Sequence, residues 1–260
     1  MNKKYITSAQ NATLKLVKEL LKKKAARKKQ GLFVVEGIRA VKEIPEHIQI
    51  QTVLVSEKVD KEHYETIPAE EILVMPESLF ETLSETTSPQ GLMAIVQKVD
   101  VPLAEFQMEE GPYLLLENLQ DPGNLGTIIR TAHAFDFKGI LMTKGCVDLY
   151  SPKVVRSTMS SLFYMPIVMD EEIGTYMEYL KEKGKTIYTT ALSEKAQWIH
   201  DIKFDSNMVL VIGNEGNGVS DYCLANTDYT MMIPMPGGAE SLNASVATAV
   251  CMYEVLRQQK

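Results

Sequence analysis

The sequence predicts an α/β protein in two parts, a small α/β unit over residues 1–98 and a larger parallel-sheet domain over residues 113–260. Three observations lead there. Short apolar runs alternate with helix-like segments along the whole chain. Residues 99–112 are charged, carry Pro102, Gly111 and Pro112, and have weak periodicity, which reads as a linker. Beyond them the alternation becomes more regular, as expected of a parallel sheet with helices on both faces.

In the first part, Asn11 to Arg27 places Leu14, Leu16, Val17, Leu20 and Leu21 among lysines, the pattern of one amphipathic helix with a basic exposed side. Gly31 ends it. Strands follow at Leu32–Val35, Val53–Ser56, Ile72–Met75 and Leu92–Val96, with helical pieces near Gly37–Ile44 and Glu77–Leu83. In the second part the apolar strands are Tyr113–Leu116, Gly139–Met142, Thr186–Thr190, Met208–Ile212 and Tyr229–Ile233. The last helix is the longest, Asn243 to Gln258.

Bulk properties exclude several classes. With 260 residues, 45% hydrophobic and 23% charged, the chain has the composition of a soluble globular protein. No run approaches the roughly 18 apolar residues of a membrane span, and the polar stretch after the first lysines is no signal peptide. Cys146, Cys223 and Cys251 are odd in number and far apart, so reduced thiols in the cytoplasm are expected. His47, His63, His133 and His200 lack ligand spacing, and no metal is expected. The net charge of −7 hides an asymmetry. Residues 1–31 hold ten Lys or Arg against one acid, Glu19, which is +9 locally and leaves −16 elsewhere. A phosphate-seeking element and a solvated helical face would both look like this.

Ligands of open parallel sheets sit beyond the carboxyl ends of the strands. Three strand-to-loop junctions carry unusual residues there. The first runs from Glu117 to Arg130, where Gly123 and Gly126 permit tight turning and Asn124 is a candidate cap for the helix that follows. The second is Gly213-Asn214-Glu215-Gly216-Asn217-Gly218. No lysine follows as in a Walker loop and Glu215 would repel phosphate, so a neutral or cationic ligand suits it better, and an ordinary turn would show the same pattern. The third runs from Ile233 to Ala247, with Pro234, Pro236, Gly237 and Gly238 forcing an irregular loop. Ser241 and Asn243 are natural N-cap residues, and Ala244, Ser245 and Ala247 are small enough for close packing on a neighbour or a ligand.

Together these segments resemble the SpoU, or TrmH-type, family of RNA ribose 2′-O-methyltransferases. Asn124 and Arg130 match its first motif. Gly213, Glu215, Gly216 and Gly218 match the second, and Pro234, Met235, Gly237, Ser241, Leu242, Asn243 and Ser245 the third. The intervening Ser151 to Ser157 also looks like the family's segment at that place, with Thr158 and Ala244 slight departures. More loosely, Ile6-Thr7-Ser8, Asn11, the lysine-rich helix and Phe33 to Gly37 resemble the L30-like substrate-binding domain fused to many members.

The resemblance implies a knotted (SPOUT) catalytic domain, a homodimer formed through it, and S-adenosylmethionine as cofactor. The donor would be held by Thr190, Ala191, Leu192, Ile212, Gly213, Asn214, Gly216, Gly218, Ile233, Met235, Ser241 and Leu242. Catalytic roles would fall to Arg130, Asn124, Ser241, Asn243 and Glu215, with Glu215 organising its loop by accepting backbone N–H groups. Arg130 would either accept the hydroxyl proton, unusual for a guanidinium, or grip the neighbouring phosphate. RNA would be met by Lys15, Lys18, Lys22, Arg27 and Arg156. Ribosomal RNA is favoured over transfer RNA, with guanosine the favoured nucleotide. The alternatives are a tRNA methyltransferase and a non-catalytic RNA-binding protein that kept the fold. A nucleotide-phosphate enzyme is disfavoured by Glu215 and the missing lysine.

Overall fold

The computed structural model describes residues 2–193 and 195–259 and resolves two compact units. The first comprises residues 1–99 together with 148–163, and the second comprises 100–147 and 164–260. This departs from the expected division in two places. The segment 148–163 belongs with the N-terminal unit. Residues 100–112, expected as a linker, pack into the second unit: Val101, Leu103, Phe106 and Met108 cover its core. The Val101 N–H donates to Ile167 O at 2.9 Å, and Phe106 meets Tyr113 edge-on at 6.1 Å. Apolar residues spaced among charges gave these contacts no periodicity to read.

The first unit holds a five-stranded sheet of β1 (Asn2–Tyr5), β2 (Leu32–Glu36), β3 (Ile50–Ser56), β4 (Ala69–Met75) and β5 (Leu92–Gln97), in the order β1-β4-β3-β5-β2. β1, β4 and β3 run parallel, while β5 is antiparallel to both of its neighbours. α1 (Ala12–Lys22) starts at Asn11, whose side chain accepts the Thr13 N–H at 2.8 Å. Its buried face, Leu14, Val17, Leu20 and Leu21, packs on Val34, Leu54, Leu73, Met93 and Ile95. Each such side chain contributes about 1.5–3 kcal/mol. The single helix expected here is two, because Lys23 is extended at φ −121° and ψ 114° and α2 (Lys24–Gln30) restarts after it. Gly31 ends α2 in the left-handed conformation, φ +67°. Two short α-helices, α3 (Ile38–Lys42) and α4 (Glu77–Glu81), and a 3-10 turn at Lys61–His63 complete residues 1–99.

Arg27 explains the turn between α1 and α2. Its side chain is only 6% exposed, paired with Asp148, and its Nη1 donates to the terminal carbonyls of α1 at Leu20 and Leu21. The RNA-contacting role expected for Arg27 is therefore corrected: its charge is spent inside the first unit.

The second unit is built on a seven-stranded, wholly parallel sheet. Its strands are β6 (Tyr113–Leu116), β7 (Ile140–Thr143), β8 (Ile167–Glu171), β9 (Thr186–Thr190), β10 (Gln197–Trp198), β11 (Met208–Ile212) and β12 (Tyr229–Met232). They lie in the order β10-β12-β9-β11-β6-β7-β8. Helices α5 (Pro122–Ala134), α7 (Ile173–Glu182), α8 (Asp221–Asn226) and α9 (Ala244–Gln259) accompany the sheet. α6 (Pro152–Ser157) lies in the segment grouped with the first unit. The central strands are near-continuous apolar runs, as burial on both faces requires. From β6 the chain steps outward to β7 and β8, then returns to the other side through β9 and β11. The strand order therefore reverses between β6 and β11, and the crevice beyond their carboxyl ends is where such sheets bind ligands.

Candidate active site

The loop after β6 and the loop after β11 meet at that reversal. Glu117, buried, accepts the Ser220 N–H at 2.9 Å, and its own N–H donates to Ile212 O at 2.8 Å. The Asn214 amide donates to Asn118 O at 2.9 Å. Asp121 caps α5 by accepting the Asn124 N–H at 2.7 Å, so Asn124 lies inside the first turn and is not the cap that the sequence suggested. Pro122 at the first helical position needs no N–H partner, which suits it there.

Glu215 joins these loops. It accepts the backbone N–H of Gln120 at 3.1 Å and of Asp121 at 3.0 Å, and the Asn124 amide at 3.0 Å. Partial burial pushes its carboxyl up, but the Asn124 amide and the two backbone donors outweigh that and hold it below the usual range. An ionised carboxylate only accepts, so Asn124 must present its NH2 to Glu215. That leaves Asn124 Oδ1 for the Asn243 amide, at 3.0 Å. Asn243 Oδ1 then caps α9, accepting from Ser245 N at 2.9 Å and Ser245 Oγ at 2.6 Å. One directional chain of hydrogen bonds thus links a residue from each of the three junctions.

The glycine loop is closed on itself. Asn214 and Gly218 exchange backbone hydrogen bonds at 2.9 Å, and Asn214 Oδ1 accepts the N–H groups of Gly216 and Asn217. A Cβ on Gly213 would lie 2.3–2.4 Å from the backbone of Gly218 and Val219, so only glycine fits.

Beside this loop lies a cleft of about 180 Å³. It is lined by Thr190, Ala191 and Leu192, by Ile212, Gly213, Asn214, Glu215 and Gly218, and by Ile233, Met235, Ser241 and Leu242. Of the expected donor-binding residues, Gly216 is not among the lining ones; its N–H serves loop closure. Met231, Met232, Ala244, Ala247 and Cys251 line the cleft without having been named among the donor-binding residues. Ala244 and Ala247 gave a signal, as small residues along α9. The cleft suits S-adenosylmethionine by its donor set: sulfur and apolar side chains for an adenine, backbone for its edge, and one carboxylate for a cationic ligand.

Arg130, on α5, is exposed and makes no hydrogen bond or ion pair among the described residues. Lys15 and Lys22 are exposed on α1 and Lys18 partly so, and Arg156 is exposed on α6. Cys146, Cys223 and Cys251 are buried, and the last is pushed up to about 12 by desolvation.

The SpoU rRNA methylase family matches residues 111–253. The chain belongs to that family. Its members are S-adenosylmethionine-dependent RNA ribose 2′-O-methyltransferases, and its fold is the parallel-sheet SPOUT methyltransferase fold. An MRM3-like substrate binding domain matches residues 11–94. A Bacillus subtilis relative, the 23S rRNA (guanosine(2553)-2′-O)-methyltransferase RlmP, is 33% identical, covering 97% of this chain and 99% of its own. The Streptomyces viridochromogenes 23S rRNA (uridine(2479)-2′-O)-methyltransferase is 31% identical over 97% of this chain and 92% of its own. Among solved structures, the SpoU methyltransferase AviRb of Streptomyces viridochromogenes in complex with AdoMet superposes with a TM-score of 0.87 at 31% identity, covering 96% of this chain and 98% of that one. The AdoMet-bound rRNA methyltransferase of Sinorhizobium meliloti gives 0.89 at 27% identity, covering 99% of each.

Proposed function

We propose that this SpoU-family member methylates the 2′-hydroxyl of a ribosomal RNA ribose, guanosine being the favoured nucleotide. The observation that carries the reading is the Glu215–Asn124–Asn243 chain, set at the strand-order reversal beside a cleft suited to the methyl donor. The guanosine preference follows the Bacillus subtilis relative, which covers nearly the whole chain.

S-adenosylmethionine, when bound, supplies an electrophilic methyl group. The protein's part is alignment, which accounts for much of the acceleration of a two-substrate reaction. Ile233, Met235 and Leu242 hold the adenine, the glycine loop and Thr190–Leu192 shape the donor's bend, and Ser241 orients the nucleotide. Asn124, Asn243 and Glu215 fix the loops. Arg130, exposed and uncommitted, grips the phosphate next to the target ribose and brings the hydroxyl into line. The knot implied by the family would be formed by the loops 190–192, 212–218 and 233–242. In the first unit Lys15, Lys18 and Lys22, opposite the buried face of α1, provide sequence-independent phosphate contacts.

The working species is a homodimer. α9 exposes Val246, Val250 and Tyr253 at helical spacing, 50%, 40% and 58% accessible, and Tyr253 lies 6.2 Å from Phe135. That is an apolar stripe for a second copy. No helix among the described residues is long and apolar enough to cross a membrane, and we place the enzyme in the cytoplasm with its RNA.

The test is methyl transfer from labelled S-adenosylmethionine into RNA of a strain lacking the protein, with mass mapping. Label on one ribosomal ribose, lost with Arg130→Ala, is expected. Label on transfer RNA would overturn the substrate, and failure to bind the donor would leave an RNA-binding protein without catalysis.

A further inference from the structure

The first unit has a cavity of its own, about 390 Å³, within the roughly 300–1,000 Å³ range of small-molecule sites. Its apolar side comes from Val35, Val155, Leu162 and Phe163. Its polar side is unusual. Glu36, at the end of β2, accepts hydrogen bonds on Oε1 from Ser84 and, at 2.9 Å, from Thr86, while its Oε2 is buried with no partner among the described residues. A buried carboxylate oxygen without a donor is costly, and such atoms call for an explanation. The terminal torsion of a glutamate is soft, so the carboxylate can turn Oε2 toward a donor in the cavity.

Two cations also line the cavity. Arg39 is committed to Glu43 at 2.7 Å. Arg156 is exposed and uncommitted among the described residues. The wall between Arg156 and Leu162 contains Met159 and Ser160, consecutive non-glycine residues at φ +47° and +67°. Strain of this kind persists only where the surroundings enforce it, and it clusters at functional sites. The wall belongs to the 148–163 segment, whose Ser151–Ser157 motif has no part in the donor cleft.

We propose that this cavity receives one unpaired base of the substrate RNA bearing an exocyclic amino group, which donates to Glu36 Oε2 while Arg156 holds the adjoining phosphate. Apolar walls suit the faces of a base, a carboxylate accepts from its amino group, and a free arginine at the rim suits the backbone. The inference rests on RNA being the substrate, and it makes the first unit a reader of one base in addition to a basic surface.

The test titrates the full chain with GMP, AMP, CMP and UMP, followed by backbone amide resonances. Signals of Gly37, Gln90 and Met159, all in the cavity wall, should shift with the three amino-bearing nucleotides and roughly tenfold more weakly with UMP, the equivalent of one hydrogen bond to a charged group. Glu36→Gln keeps the shape and an acceptor for Ser84 and Thr86 but offers a donor, so the order should reverse in favour of UMP. Arg156→Ala should weaken every monophosphate and leave the nucleosides unchanged. No shift at these amides up to the solubility limit, an equal response to UMP, or shifts confined to Gly213 and Gly218 of the donor cleft would overturn the inference. Donor binding and methyl transfer are read on the same samples. Failure of the proposed function appears there as no transfer to ribosomal RNA, whatever the monophosphates do.

Discussion

Asn124 and Asn243 are 119 residues apart in sequence and share a hydrogen bond of 3.0 Å that ties the first turn of α5 to the cap of α9. Its direction is imposed from one end, because Glu215 can only accept. Replacing Glu215 by alanine leaves the half-buried Asn124 amide without its acceptor, at about 1–3 kcal/mol, and returns two solvent-exposed backbone N–H groups to water at smaller cost. Glu215→Ala should lower Tm and weaken S-adenosylmethionine binding more than tenfold by calorimetry. Glu215→Gln, which can still accept but turns an NH2 toward one of the donors, should fall between. Equal donor affinity in all three proteins would remove the network from the binding argument.

Arg130→Ala is expected to separate chemistry from folding. The side chain is exposed and uncommitted among the described residues, so Tm should move by no more than about 0.5 kcal/mol equivalent. Methyl transfer should drop by about 100-fold or more, with donor affinity unchanged. Arg130→Lys should rescue poorly, because an ammonium cannot reproduce a planar two-pronged grip.

Gly213→Ala puts a Cβ 2.3 Å from the carbonyl carbon of Gly218. The loop must open, and donor binding should be lost while the far-UV circular dichroism spectrum is retained. Gly237→Ala meets nothing within 4 Å and serves as the control.

Arg27 and the α1 lysines should behave oppositely. Arg27→Ala leaves Asp148 without its countercharge and should destabilise by about 3–5 kcal/mol. Lys15→Ala and Lys22→Ala should leave Tm unchanged, weaken RNA binding, and each reduce the slope of log K against log salt by about one. A measured salt slope that fell with Arg27→Ala at constant stability would return that residue to the RNA surface.

Acid should expose Glu254. Its carboxyl is held down to about 2, chiefly by the Arg257 guanidinium, with Gln258 assisting. A carboxyl depressed in the folded state stabilises fully above its ordinary range and loses that contribution as pH falls through the folded value. Wild-type stability should therefore decline from the ordinary carboxylate range down to about pH 2. Glu254→Gln should be less stable at neutral pH and show a shallower decline, measured by denaturant unfolding at each pH.

What the sequence made legible follows from how each element is stabilised. Tyr113–Leu116, Thr186–Thr190 and Met208–Ile212 are uninterrupted β-prone or apolar runs because both faces of the sheet are covered, and their bounds could be read directly. β1, with the residues Asn-Lys-Lys-Tyr and all four exposed, is held by backbone pairing to β4 and carries no hydrophobic signature. The break at Lys23 lies in a run of good helix formers, and the Arg27 side chain that serves it finds its partner 121 residues away. At the site, the motif residues were legible by their order and spacing. The Asp121 cap and the burial of Glu117 were not, since both depend on which loops meet at the strand-order reversal.

The grouping of residues 148–163 with the N-terminal unit has a temporal consequence. Val154, Leu162 and Phe163 are buried and lie downstream of β6 and β7, strands of the other unit. During synthesis the first unit cannot complete its own interior until the nascent chain has passed through both strands and out again. The emerging protein must carry two half-built interiors at once, and a chain cut after residue 98 would keep the basic helix while losing the piece that closes the unit around it.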